Sequence, residues 1–143
     1  MRYFFLSLLL SCQGFPVKQK AYEDHEFILF LPFKKAMTLT QKVISKIPGD
    51  PKVIIKKRNH QLITNKFINQ VIEDLNVPIQ VRTYTRLVVS FYSKGENETL
   101  LKITKYLTPL PSIHETSKIY PSDGLLEKAL ENRMKLLSGL SLN

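Results

Sequence analysis

The hydrophobic positions along this chain change spacing several times, and each change marks an element. The first is an apolar run from Tyr3 to Leu10, preceded by one basic residue, Arg2, and followed by the small residues Ser11, Cys12 and Gly14. A short charged end, an apolar stretch that enters the translocation site as a helix, and small side chains beside a scissile bond are what a secretory signal peptide needs. Residues 1–14 are therefore expected to be removed, with cleavage after Gly14. The run is too short for a membrane span, since about 30 Å of hydrocarbon takes roughly 20 residues to cross. Two other readings of the run stand beside this one: a buried amino-terminal strand and, because Cys12 follows Leu-Leu-Ser, a bacterial lipoprotein signal.

Residues 15–36 read as an extended lead-in, polar from Val17 to Glu26. From Met37 to Ile47, the residues Leu39, Val43, Ile44 and Ile47 fall on one face at helical spacing, and Thr38 or Thr40 can cap the start by accepting a backbone N–H. Pro48-Gly49-Asp50-Pro51 ends that helix, because proline lacks a donor and fixes φ while glycine supplies the turn. Lys52 to Lys56 (KVIIK) is a β-branched run between turn signals and predicts a strand. Thr64 then caps a helix expected over NKFINQVIEDL, where Phe67, Ile68, Val71, Ile72 and Leu75 form one wide apolar stripe. Asn76 and Pro78 stop it.

Two strands are expected next, Ile79 to Tyr84 (IQVRTY) and Leu87 to Tyr92 (LVVSFY). Alternation in the first fits one exposed face, whereas the nearly unbroken second suits a strand covered on both faces, as in a parallel sheet. A hairpin turning at Thr85-Arg86 ranks lower, because neither residue favours the positive φ of tight turns. Gly95 opens a turn, and Glu96 to Leu107 predicts a helix carrying Leu100, Leu101, Ile103 and Leu107, with Glu96 and Glu98 near its positive end. Residues 108–121 hold Pro109, Pro111 and Pro121 and predict an extended connector with a short strand at Ile119-Tyr120. Ser122 caps a last helix from Asp123 to Ser138, with a buried stripe of Leu125, Leu126, Ala129, Leu130, Met134 and Leu137. Strands alternating with amphipathic helices predict an α/β fold over residues 37–143: a small, three-layer-like sheet with right-handed crossovers and flanking amphipathic helices, resembling half of a doubly wound domain.

Composition narrows the class. The length of 143 residues suits one domain, and 43% hydrophobic with 23% charged residues excludes wholesale disorder. Cys12 is the only cysteine, so no intrachain disulfide is possible and the core alone must hold the fold. After the leader, the most apolar stretch is Phe27 to Phe33 (FILFLPF), short and broken by Pro32, so no later transmembrane segment is expected. The formal charge of +9 is spread over Lys18, Lys20, Lys34, Lys35 and the tight group Lys56-Lys57-Arg58. Such a balance favours an anionic small ligand or an acidic surface, nucleic acid and acidic lipid included.

Candidate chemistry is sparse. His25, His60 and His114 lie far apart, and the cluster Glu23-Asp24-His25-Glu26 holds metal-ligand types on adjacent residues that point in different directions, so no metal is expected. No Gly-x-Ser-x-Gly elbow and no glycine-rich phosphate loop occurs, which argues against an enzyme and against a nucleotide cofactor. The group KKRNHQ follows the first expected strand and precedes a helix start, where a doubly wound sheet binds anions; Lys57, Arg58, Asn59 and His60 are the candidate ligand-binding residues. Asn97-Glu98-Thr99 is an acceptor sequence for glycosylation of Asn97.

The signal peptide, KVIIKK, KFINQVIEDLNVPIQV and RLVVSFYSKGENETLLKITKYLTP together resemble the extracellular amino-terminal region of insect ionotropic chemosensory receptors, over Lys52 to Pro109. The resemblance implies a degenerate α/β piece behind a signal peptide, with a role in extracellular ligand sensing or receptor assembly. Nothing in the chain corresponds to the ligand-clamping residues, pore helix or membrane spans of those receptors, which implies a fragment without channel activity. The expectation is a secreted, non-enzymatic ligand-binding or protein-interaction domain. The alternative is an intracellular basic protein associated with nucleic acid or the ribosome, its apolar start belonging to the fold.

Overall fold

The computed structural model describes residues 24–68, 83–109 and 122–140. The expected signal peptide, the strand at Ile119-Tyr120 and most of the helix expected up to Leu75 lie outside the described residues. The elements in chain order are β1 (His25–Leu29), α1 (Phe33–Ile44), β2 (Val53–Lys56), a 3-10 turn over Lys57–Asn59, β3 (Gln61–Thr64), β4 (Thr83–Gly95), β5 (Glu98–Pro109) and α2 (Leu125–Leu140). The fold is α/β, as the sequence predicts, but the strands pair differently. They form one five-stranded sheet in the order β1-β5-β4-β3-β2, and every pairing is antiparallel.

The β4–β5 hairpin organises the sheet and overturns two expectations. Of the two strands expected here, residues 79–82 of the first lie outside the described residues, and Thr83 and Tyr84 run on into the second as one strand, because Thr85 and Arg86 stay extended and pair with Leu107 and Tyr106. Of the residues expected to form a helix from Glu96 to Leu107, those from Glu98 onward lie in β5 instead. Leu100, Leu101, Ile103 and Leu107 fit a helical stripe, yet Thr99, Ile103, Thr104, Tyr106 and Thr108 are β-branched or aromatic and suit a pleated surface. Partners decide between the two: Leu101 lies between Phe27 and Phe91, and Ile103 opposite Val89. A turn at Glu96-Asn97, entered through an irregularity between Ser93 and Gly95, reverses the chain. The crossover arrangement of a doubly wound domain is therefore absent from the described residues: β4 and β5 need only a tight turn, whereas parallel neighbours need a crossover of a dozen residues or more.

Alternation along the strands sends one set of side chains inward. Phe27, Leu29, Leu62, Leu87, Val89, Phe91, Leu101 and Ile103 are buried, and α1 and α2 cover them with Ala36, Val43, Ile44, Leu126, Leu130 and Met134. Both described helices share this one core, so they form two layers with the sheet instead of the expected three. Within the expected lead-in, His25–Leu29 forms β1 at one edge, in register with Ile103 to Thr99 of β5, and residues 33–36 form the first turn of α1.

The helix ends also depart from expectation. α1 starts four residues before Met37, at Phe33, with Pro32 accepting the Ala36 N–H at 2.9 Å. Thr38 and Thr40 do not cap it; their hydroxyls donate to the Lys34 and Ala36 carbonyls one turn back. Thr64 does not start a helix: it ends β3 and accepts the Leu87 N–H on its hydroxyl at 2.9 Å, while Phe67 bridges Thr85 through two backbone hydrogen bonds. At α2, Ser122 accepts the Gly124 N–H and Asp123 accepts the Leu125 N–H. Of its expected stripe, Leu126, Leu130 and Met134 are buried, but Leu125 is 45% exposed and Ala129 is also exposed.

The turn after α1 rests on Gly49. Its φ is +114°, and a Cβ there would stand 2.2 Å from the Ile68 carbonyl oxygen. Gly49→Ala is expected to cost about 1–3 kcal/mol, the usual scale of a strained backbone position. The check is the midpoint of urea unfolding; a midpoint equal to the parent's contradicts the assignment.

Candidate ligand groove

From Phe27 through Gly49 the chain has no acidic residue, and α1 lies within that stretch. Its first turn carries Lys34 and Lys35, at the end of a helix where backbone partial charge is already positive and acids are favoured. A local preference broken in this way marks either strain or a use for the charge.

The two helices leave a groove of about 740 Å³ between them. Its floor is aliphatic, with Leu31, Leu39, Val43 and Ile47 on one side and Leu126, Leu130 and Leu137 on the other. Its rim is cationic, with Lys34, Lys35, Lys42 and Lys46 from α1 and its following turn and Arg133 from α2. None of these five forms an ion pair with a described residue. The volume falls within the roughly 300–1,000 Å³ usual for ligand sites. Cations beside an apolar floor attract an anion more strongly than the same charges in open water, because the local dielectric is lower.

The rim stays cationic because the carboxylates of α2 are engaged on its inner side. Glu127 and Lys105 are both buried, with Nζ 3.5 Å from Oε2, and Lys105 also lies 3.8 Å from Asp123. Ser122 donates to Oε1 of Glu127 at 2.6 Å. Glu131 accepts from Lys135 and, at 2.9 Å, from Lys128, and stands 2.7 Å from Nε2 of His25. Burial acts to raise the Glu131 carboxyl, but the hydrogen bonds from Lys135, Lys128 and His25 outweigh it and hold the group at about 2, below the ordinary 4.5. A carboxyl lowered by folding adds stability that is complete above its unfolded value and is lost as pH falls through its folded value. Stability is therefore expected to decline between pH 4.5 and about 2, and Glu131→Gln to remove that part of the decline. Urea midpoints across this range check it; an unchanged acid profile in the variant contradicts it.

The structure distributes the other candidate residues as follows. Lys57, Arg58 and Asn59 form the exposed turn between β2 and β3, which joins antiparallel strands and does not lead into a helix. His60 takes a left-handed conformation, accepts the Phe91 N–H on its carbonyl, and sets its ring edge-on against Phe33 at 5.1 Å. Asn97 is exposed at the tip of the β4–β5 hairpin. The acidic cluster divides: Asp24 and Glu26 meet Lys102, while His25 meets Glu131. Among the described residues no three of His, Cys, Asp and Glu converge as a metal site would require.

None of the groove residues stood among the sequence candidates. The signal that points to them is the long acid-free stretch, once a helix is placed at Phe33 instead of Met37.

Fold and groove together define a small two-layer α/β domain with a cation-rimmed apolar cleft. Comparison with known protein families, with curated proteins and with solved structures finds no match. No helix among the described residues is long and apolar enough to cross a membrane.

Proposed function

We propose that this chain is a secreted, non-enzymatic binding domain that takes anionic ligands with an apolar portion in the groove between α1 and α2. The observation that carries the reading is the pairing of an aliphatic floor with five cations that no described carboxylate neutralises. The apolar leader from Tyr3 to Leu10 supports export, and Asn97, exposed at a hairpin tip, suits an acceptor for a glycan. A sensing or assembly role in a receptor ectodomain, as the sequence resemblance implies, fits such a domain.

Anilinonaphthalene sulfonate, an anion with an aromatic body, serves as the probe. The folded protein is expected to enhance its fluorescence saturably. Filling the groove with Ala129→Trp, or reversing its rim with Lys42→Glu and Arg133→Glu together, is expected to weaken binding about ten- to a hundredfold. That range corresponds to losing one charge-assisted contact of about 1.5–3 kcal/mol. Dye binding unaffected by both variants, with the circular dichroism retained, refutes the reading.

The alternative of nucleic-acid association draws on the outer sheet face. Tyr92 and Tyr106 are exposed there, and Arg86 lies opposite Tyr106 in the β4–β5 register. Stacking on Tyr92 would make RNA affinity fall in Tyr92→Ala and decline steeply with salt.

A further inference from the structure

The rim charges are not gathered at one point. From Lys34 to Lys46 they run along α1 and the turn after it, over about 18 Å if helical rise is counted at 1.5 Å per residue, and Arg133 faces them from α2. A ligand with one head group meets only part of this rim. The matching partner carries negative charge along its length, on both sides of an apolar ridge.

The floor narrows the chemistry further. It is aliphatic, with no aromatic side chain among the described residues that line it, which offer no stacking surface for bases. The hydroxyl of Thr38, the one among the described lining residues, is already donated to the Lys34 carbonyl. An extended peptide laid here would leave its backbone N–H and C=O groups facing hydrocarbon, whereas an α-helix satisfies its own. The walls are themselves two helices, and a third packs into such a furrow by setting its ridge of side chains between theirs. The apolar floor lies between two helices and is flanked by lysines, which suits a narrow rod better than a flat bilayer.

We propose that the groove receives an acidic amphipathic helix of a partner protein. Its apolar residues recur at i, i+3, i+4 and i+7 and fill the floor between Val43 and Leu130, and its flanking glutamates or aspartates pair with Lys34, Lys35, Lys42, Lys46 and Arg133. This rests on the reading of the groove as an anion-binding, partly apolar site and names its partner.

The test uses the full chain and a synthetic peptide of about 18 residues, long enough to form a helix, with leucines at that spacing and glutamates on both flanks. The peptide is expected to gain helicity on mixing and to displace anilinonaphthalene sulfonate. Ala129→Trp, or Lys42→Glu with Arg133→Glu, is expected to weaken its affinity at least about tenfold, the scale of one charge-assisted contact. An isomer with lysine flanks, and the acidic peptide interrupted by a central proline, are expected to fail. The proposal is overturned if the dye binds the groove but the acidic peptide does not displace it, or if the lysine isomer competes equally well. It is also overturned if vesicles of phosphatidylserine and phosphatidylcholine displace the dye where the peptide does not. If the dye itself fails to bind, the underlying reading of the groove falls first.

Discussion

Lys105→Ala is expected to lower folding stability by about 3–5 kcal/mol, the cost of breaking a buried ion pair by removing one partner. Lys105 stands on the inner face of β5, opposite Leu87, with its side chain 1% exposed. Its ammonium faces Glu127, whose side chain is 2% exposed, and Asp123. Without the lysine, two carboxylates remain, and Oε2 of Glu127 already has no hydrogen-bond partner among the described residues. The companion variant Lys105→Met with Glu127→Leu removes both charges of the pair and keeps its volume. It is expected to recover most of the loss, since buried pairs replaced by apolar groups of similar shape are often neutral or better. Urea unfolding of the three proteins decides: equal midpoints for Lys105→Ala and the parent contradict the buried cluster.

Phe91→Ala carries the second large effect, about 3–5 kcal/mol for a phenyl ring removed from a packed interior. Phe91 is 2% exposed, pairs across the hairpin with Leu101 and meets Phe33 of α1 edge-on at 6.2 Å. Its neighbour Tyr92 is 49% exposed on the opposite face, so Tyr92→Ala is expected to stay within about 0.5 kcal/mol of the parent. Comparable losses in the two variants contradict the side-chain alternation of β4.

The contrast between Phe91 and Tyr92 shows what local sequence can disclose. The β-branched and aromatic run LVVSFY marks a strand whatever lies beside it, and KVIIK is equally local, whereas the turn at Pro48-Gly49 only bounds α1, which already ends at Ile44. The mixed α/β class follows from these signals. Whether the sheet is parallel does not, because that depended on residues 96–107, where leucine spacing suits a helix and β-branching suits a strand. Pairing with Phe91 and Phe27 decides the question, and pairing is non-local.

The site was less legible than the fold, for a related reason. Lys57 to His60 form a basic group after a strand, a position that matters in a parallel sheet but is an ordinary hairpin connection here. The lysines of α1 look like a solvated surface in sequence. They become a rim only when α2 lies alongside, with its glutamates turned towards Lys105 and His25. That inward turn could not be read from the spacing of Glu127 and Glu131, which suits an exposed face as well as a buried one.

The most direct measurement is paramagnetic relaxation from a spin-labelled dodecanoate in methyl NMR spectra of the full chain. The account predicts that the methyl signals of Val43, Leu130 and Leu137 broaden first and that Lys42→Glu with Arg133→Glu restores them. Broadening centred on Ile28, Val88 and Leu100 of the outer sheet face, with the groove methyls untouched, would contradict it.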